Sequence, residues 1–376
     1  MMKSRYLASA LGAIAALCLT AVTPAQALAT TVTTHAWALE STPANDGVTL
    51  TAVSCRLRTY CVAVGTFEFG SNGLERPAAY GWDGVKWTAL PVPANASDLE
   101  GIACTSIIYC MVVGDNSKFM AQTWTWNNRT WTAEPTYNSS AGILWAVRCA
   151  GKTSCEAVGE HGNGLTQYPL AESWNGSTWT NQSTAGAPSG SLRAVACQYV
   201  GRCEAVGSKL MSNTVLAMRL SGSRWITEAT PVLPPGGVGY SLTGVSCYVG
   251  GCTAVGNSEA GTTVAERWNH GTWTLLGPVG TGDASGSNSS WNDIHCWTAS
   301  NCTAVGGSAR ASGGGFRTLV ETWNGKLWML NTAPSPSRLG DQLFGISCPS
   351  ACTAVGYQGV KNLTRSNSLA LRALPR

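Results

Sequence analysis

Short strand-like segments, each bounded by a polar turn, fill most of the chain, and residues 242–273 (LTGVSCYVGGCTAVGNSEAGTTVAERWNHGTW) hold one complete set. One segment runs into Cys247 and a second leaves Cys252. After a variable gap, a third ends at Trp268 and a fourth opens at Trp273 across Asn269, His270 and Gly271. Asn and Gly tolerate the positive φ of tight hairpin turns, so this order predicts four antiparallel strands in sequence.

The same set recurs along the chain. Its first cysteine is Cys55, Cys104, Cys149, Cys197, Cys247, Cys296 and Cys348, and its second is Cys61, Cys110, Cys155, Cys203, Cys252, Cys302 and Cys352, at a period of about 49 residues. With Cys18 these account for all 15 cysteines. The tryptophans of the third and fourth segments recur as Trp82 and Trp87, Trp126 and Trp131, Trp174 and Trp179, Trp268 and Trp273, and Trp323 and Trp328; one copy has Leu220 with Trp225. Seven copies of four strands predict an all-β, seven-bladed β-propeller. The last copy stops at a third strand, 369–373 (LALRA), similar to 216–220 (LAMRL). Its missing fourth strand stands at the other end: 37–43 (WALESTP) matches 225–231 (WITEATP). An N-terminal strand near 36–43 is therefore expected to complete the last blade, leaving no open sheet edge.

The start of the chain reads differently. Lys3 and Arg5 precede an apolar run over 7–22 and small residues ending at Ala27, the pattern of a secretory signal peptide over 1–27. The run is too short for a spanning helix, which needs ~20 residues. A single propeller domain over 28–376 follows, exported to the cell exterior or cell wall, with no membrane span and expected as a monomer. The formal charge of +4 falls further when Lys3 and Arg5 leave, so there is no electrostatic case for nucleic acid.

In an oxidising compartment, cysteines at close regular spacing are expected as seven disulfides, one within each hairpin. Zinc would need more ligands than each pair supplies, and His35, His161, His270 and His295 occupy different repeat positions. No metal or other cofactor is expected. Recurring Trp residues read as filler between blades, and Glu172, Glu266 and Glu321, two residues before the first Trp, as positional repeats.

Both stereotyped turn sets fall on one face of the ring. The opposite face carries the irregular connections, among them 67–78, 160–168, 231–240, 280–290, 307–316 and 357–365, and variable loops on a rigid scaffold are the default binding site. One position is the most diverse of an otherwise repetitive first strand: Thr51, Glu100, Trp145, Arg193, Thr243, Asn292 and Phe344. Trp145, Trp291, Arg193, Glu100, Asn292 and Phe344 are the candidate binding residues. Aromatics beside charged and amide groups at a channel mouth suit a glycan, whose ring faces stack while its hydroxyls hydrogen-bond.

The unit seen in VSCYVGGCTAVG and AERWNHGTW resembles a family of secreted bacterial repeat proteins, which implies a β-propeller and leaves function open. Residues 173–179 (SWNGSTW) also resemble the Asp-box hairpin of sialidase-type propellers, but the pattern is one residue short and no motif places a sialidase's arginines or tyrosine. Three functions follow as expectations. A binding module for glycan or another extracellular protein needs no catalytic set. A glycosidase or polysaccharide lyase would need carboxylates at the channel mouth, for which Glu100, Asp293 and Asp341 stand near first-strand starts. The third is a structural scaffold; fold alone does not choose among them.

Overall fold

A computed structural model describes residues 36–374 apart from 45, 70–73, 119, 138–141, 163–165, 211, 213, 233–238, 260, 277–287, 311–314 and 361–365. The leader over 1–27, with Cys18, lies outside the described residues, as do parts of the loops at 67–78, 160–168, 231–240, 280–290, 307–316 and 357–365.

The chain forms a seven-bladed propeller of four antiparallel strands per blade. In the first blade these are Val48–Leu57, Tyr60–Phe69, Leu74–Trp82 and Trp87–Ala89, in that order from the axis outward. The innermost strands of the other blades are Ala96–Ser106, Gly142–Gly151, Gly190–Tyr199, Ser241–Tyr248, Ser289–Thr298 and Asp341–Ser347. Blades four and five share a single pairing, Ser208 with Ser241. The last blade is completed by Trp37–Leu39, whose Trp37 pairs with Ala373.

Six disulfides join directly opposed residues of the first two strands, Cys55–Cys61, Cys104–Cys110, Cys149–Cys155, Cys197–Cys203, Cys247–Cys252 and Cys296–Cys302, and Cys348–Cys352 closes the seventh hairpin just beyond its last strand pair, Ser347 with Thr353. The outer turns owe their shape to a side chain. Asn175 Oδ1 accepts the backbone N–H groups of Ser177 and Thr178, both at 2.9 Å, and Asp83 holds Val85 and Lys86 in the same way at 2.8 and 2.9 Å. An Asx side chain at this place mimics a backbone turn, and the positive φ that follows falls on Gly84 and Gly176.

The core lies between blades. Val62, Val64 and Ala79 of the first blade pack with Leu99, Ile102, Val112, Trp124 and Trp126 of the second, and Val355 and Ala370 of the last blade pack against the first. The paired tryptophans belong to this core, with Trp82–Trp87 and Trp174–Trp179 ring centres 5.7 and 5.6 Å apart.

The Gly of the Ala-Val-Gly motif has a specific cause. In every first strand the register slips just after the residue facing this Gly, as between Leu50 and Ala52 opposite Gly65. The extra residue is a β-bulge, and it pushes the first-strand backbone onto the partner strand. A Cβ on Gly256 would stand 1.9 Å from Ser241 O, and one on Gly159 1.9 Å from Ile143 O. Only Gly fits.

Candidate functional site

The seven bulge residues are Thr51, Glu100, Trp145, Arg193, Thr243, Asn292 and Phe344, and all line one axial channel at its loop-face end. The position singled out by its diversity is thus the one place where each inner strand carries a residue outside the ladder. Bulges re-aim a side chain in this way, and they cluster at functional sites. The channel encloses about 350 Å³.

Three of the seven hold the ring together. Thr51 donates to Leu99 O at 3.0 Å, Thr243 to Trp291 O at 2.7 Å, and Asn292 to Leu343 O at 2.7 Å, in each case a backbone carbonyl of the next blade. Asn292 therefore joins blades six and seven. Phe344 stacks on Tyr357 with ring centres 5.9 Å apart.

The side chains of Glu100, Trp145 and Arg193, on successive blades, make none of these ring contacts and lie at one side of the mouth. The Arg193 guanidinium lies 4.1 Å from the centre of the Trp145 ring, and its nitrogen is 3.8 Å from Glu160. Burial, then the neighbouring carboxylates of Asp98 and Asp115, hold Glu100 well above the usual carboxylate range, with Arg193 acting the other way.

Trp291 is not a mouth residue. It replaces the Leu that opens the other first strands, a position with 0% exposure at Leu50, Leu99, Leu144, Leu192, Leu242 and Leu343, and it inherits that burial at 1%. Its indole N–H donates to Glu321 at 2.8 Å and its ring lies 4.7 Å from that of Trp328. A Trp in this slot is core because of where the backbone sends it.

Two of the three carboxylates that a hydrolase or lyase would use are otherwise engaged. Asp293 accepts backbone N–H groups from Ile294 and Ile346 at 2.8 and 2.9 Å, and burial pushes it up to about 7. Asp341 is fully buried and accepts from Ser335 Oγ and Ser337 N at 2.7 and 2.9 Å. Of the three, Glu100 alone is a bulge residue of the channel mouth. Among the described residues no group of three His, Cys, Asp or Glu side chains is placed to hold a metal ion.

Toward the turn face the same channel carries a second layer, absent from the expectations above. Ser54, Ser246 and Ser347 accept the backbone N–H of Cys104, Cys296 and Cys55, each at 2.9 Å and each from the following blade. Arg148 and His295 occupy the equivalent positions in blades three and six, and Arg56 lines the channel beyond them. The serine that precedes the first cysteine in three copies was a sequence signal for this layer. The turn face also exposes apolar residues at its hairpins, including Ile108, Val200 and Val249.

No protein-family model matches the chain, and no curated protein matches its sequence. Similarity to solved structures is found by shape. The chain is similar in structure to YCF48 bound to D1 peptide. The TM-score is 0.58 at 14% sequence identity, over 90% of this chain and 95% of that one. At that identity the likeness is one of fold.

Proposed function

We propose that the protein is an exported binding module that takes a polypeptide segment of another extracellular protein at the loop-face mouth of its channel. The observation that carries this reading is the grouping of Glu100, Trp145 and Arg193. They are bulge residues of consecutive blades, and the inter-blade hydrogen bonds that occupy Thr51, Thr243 and Asn292 are made without their side chains. A polypeptide is favoured over a glycan because a sugar needs a bare aromatic face. One face of Trp145 carries Arg193, Phe344 is stacked on Tyr357, and Trp291 is buried. The neighbouring carboxylates of Asp98 and Asp115 disfavour a charged Glu100 at the mouth, which favours a segment bringing a basic side chain. The similar fold of YCF48, seen there with a peptide, adds support by analogy.

Export rests on the leader pattern and on seven disulfides, which persist in oxidising compartments. The test is capture from total secreted protein on the immobilised mature chain, run beside a glycan array. Capture of a protein that is lost with Trp145→Ala and Glu100→Gln, both variants remaining folded, is the expected result. Binding to glycans alone, abolished by Trp145→Ala, would overturn the polypeptide reading.

A further inference from the structure

The hairpins of the turn face leave the blades at a common register: Cys61 pairs with Trp82, Cys110 with Trp126, Cys155 with Trp174, Cys252 with Trp268 and Cys302 with Trp323. The residues between paired cysteines therefore form a rim around the channel on that side. Their composition does not follow from their turns. Asn, Gly, Asp and Ser suit tight turns, and the outer turns of this chain use them. The inner tips instead hold Leu57, Ile108, Tyr199, Val200, Val249 and Trp297, all exposed and spread over five of the seven blades. A disulfide already closes each of these hairpins, so the turn itself does not require such side chains. A single exposed apolar residue is ordinary; its return at one level around a ring is not.

The charge on this face is one-sided. Between their paired cysteines the seven copies hold Arg56, Arg58, Lys152 and Arg202 and not one Asp or Glu. The outer turns on the same face add Lys86, Arg129, Arg224 and Lys326 against Asp83 alone. All eight cations are exposed, and among the described residues none of them is in an ion pair. The whole chain is close to balance, with 24 Lys plus Arg against 20 Asp plus Glu, so the positive excess is gathered on one side of the ring. The loop-face mouth, with Asp98 and Glu100, lies on the other.

We infer that the turn face docks on a lipid bilayer carrying anionic headgroups. The cations answer the negative surface, and the apolar tips enter the boundary between headgroups and acyl chains, where Trp and Tyr side chains are favoured because one end of each is apolar and the other wet. An acidic protein would also meet the cations, but it would need pockets spaced to receive tips placed around a ring. A bilayer is flat and accepts them at any rotation about the propeller axis. The loop-face mouth then points away from the lipid, and docking does not depend on what the mouth takes.

Co-sedimentation of the mature protein with vesicles tests this, in about 0.1 M sodium chloride, where charges still act over ~10 Å. Vesicles of equal parts phosphatidylglycerol and phosphatidylcholine should carry the protein down, and phosphatidylcholine alone should hold it much more weakly. Arg58→Glu with Lys152→Glu should weaken binding at least about tenfold. Lys118→Glu with Arg338→Glu makes the same change in net charge on exposed residues of the loop face, and should leave binding unchanged. Val249→Ser with Trp297→Ser should weaken binding and make what remains more sensitive to salt, a readout that charge alone would not move. All the substituted side chains are exposed, and circular dichroism checks that each variant is folded. Trp145→Ala should bind vesicles as wild type does, which separates this face from the mouth. Absence of binding to the anionic vesicles, or equal loss from the two charge-reversed pairs, would overturn the inference. So would capture of a soluble acidic polypeptide by this face without vesicle binding, which would assign the face to a protein partner.

Discussion

Trp87 donates its indole N–H to Oε2 of Glu40 at 2.7 Å, tying the first blade to the segment that completes the last. The other oxygen of Glu40 pairs with Arg372, whose guanidinium also lies 4.6 Å from the Trp82 ring centre. One carboxylate thus joins the fourth strand of one blade, the third strand of the same blade and the fourth strand of its neighbour. Glu228 repeats the device between blades four and five, accepting Trp273 at 2.8 Å and Arg219 at 3.1 Å.

Glu40→Ala should therefore cost roughly 3–5 kcal/mol, because it leaves the Trp87 N–H buried without an acceptor and takes the counter-charge from Arg372, which keeps only the Arg58 carbonyl as a partner. Glu40→Gln keeps an acceptor for Trp87 and should cost less. Urea denaturation of the three proteins checks this; a Glu40→Ala midpoint equal to wild type would show that the closure is held by strand pairing alone.

The disulfides make a covalent prediction. Peptide mapping without reduction should find Cys247 joined to Cys252 and every other bridge within its own hairpin. Replacing this pair by alanines should lower stability by roughly 2 kcal/mol, the loop-closure value for so short a loop. Bridges between blades would contradict the topology.

Gly256→Ala should be among the most damaging single substitutions. The new methyl would meet Ser241 O at 1.9 Å and Leu242 Cα at 2.7 Å, both backbone atoms that cannot swing aside. A loss of roughly 3 kcal/mol or more is expected. Gly151→Ala, where a Cβ meets nothing within 4 Å, is the control and should be nearly neutral. Equal melting temperatures for the two variants would remove the bulge as the reason for the recurring Gly.

Stability should decline with rising pH. Burial raises Glu204 to about 9, with Glu228 adding to it, and burial raises Glu266 to about 8. For such acids the folded state binds protons more tightly than the unfolded one. Their contribution is complete below the unfolded carboxylate range and is lost as pH climbs from there through the folded values. The melting temperature should be higher near pH 5 than near pH 9, and Glu204→Gln should raise it at pH 9 while changing it little at pH 5. A melting temperature that rises between pH 5 and pH 9 would contradict this.

Much of the architecture was legible because it repeats. Cysteine spacing, the Trp pairs and the match between 37–43 and 225–231 locate strands, hairpins and closure without tertiary information. The bulge position was visible as diversity, and its cause lay in plain view as the Gly opposite. What was hidden depends on which neighbour a side chain meets. Nothing local separates Asn292, which bonds to Leu343 O, from Arg193, which bonds to no such carbonyl. Trp291 belongs to the core because strand position overrides residue type, and Leu at that position in the other copies is wholly buried. The Arg148 layer was missed because it is one residue in one copy, facing residues in blades remote along the chain.

The pairing of Trp37 with Ala373 has a temporal side. Each of the first six blades is local in sequence and can form as its own segment becomes available, but the seventh must wait for the last strand to meet the first. Until then the molecule is an open arc with two raw flanks, and the contact that ends this state carries the largest loop-closure cost of any in the fold. Ring closure is the step on which folding speed should depend, and the interval before it is when the chain is most exposed to pairing with its own copies.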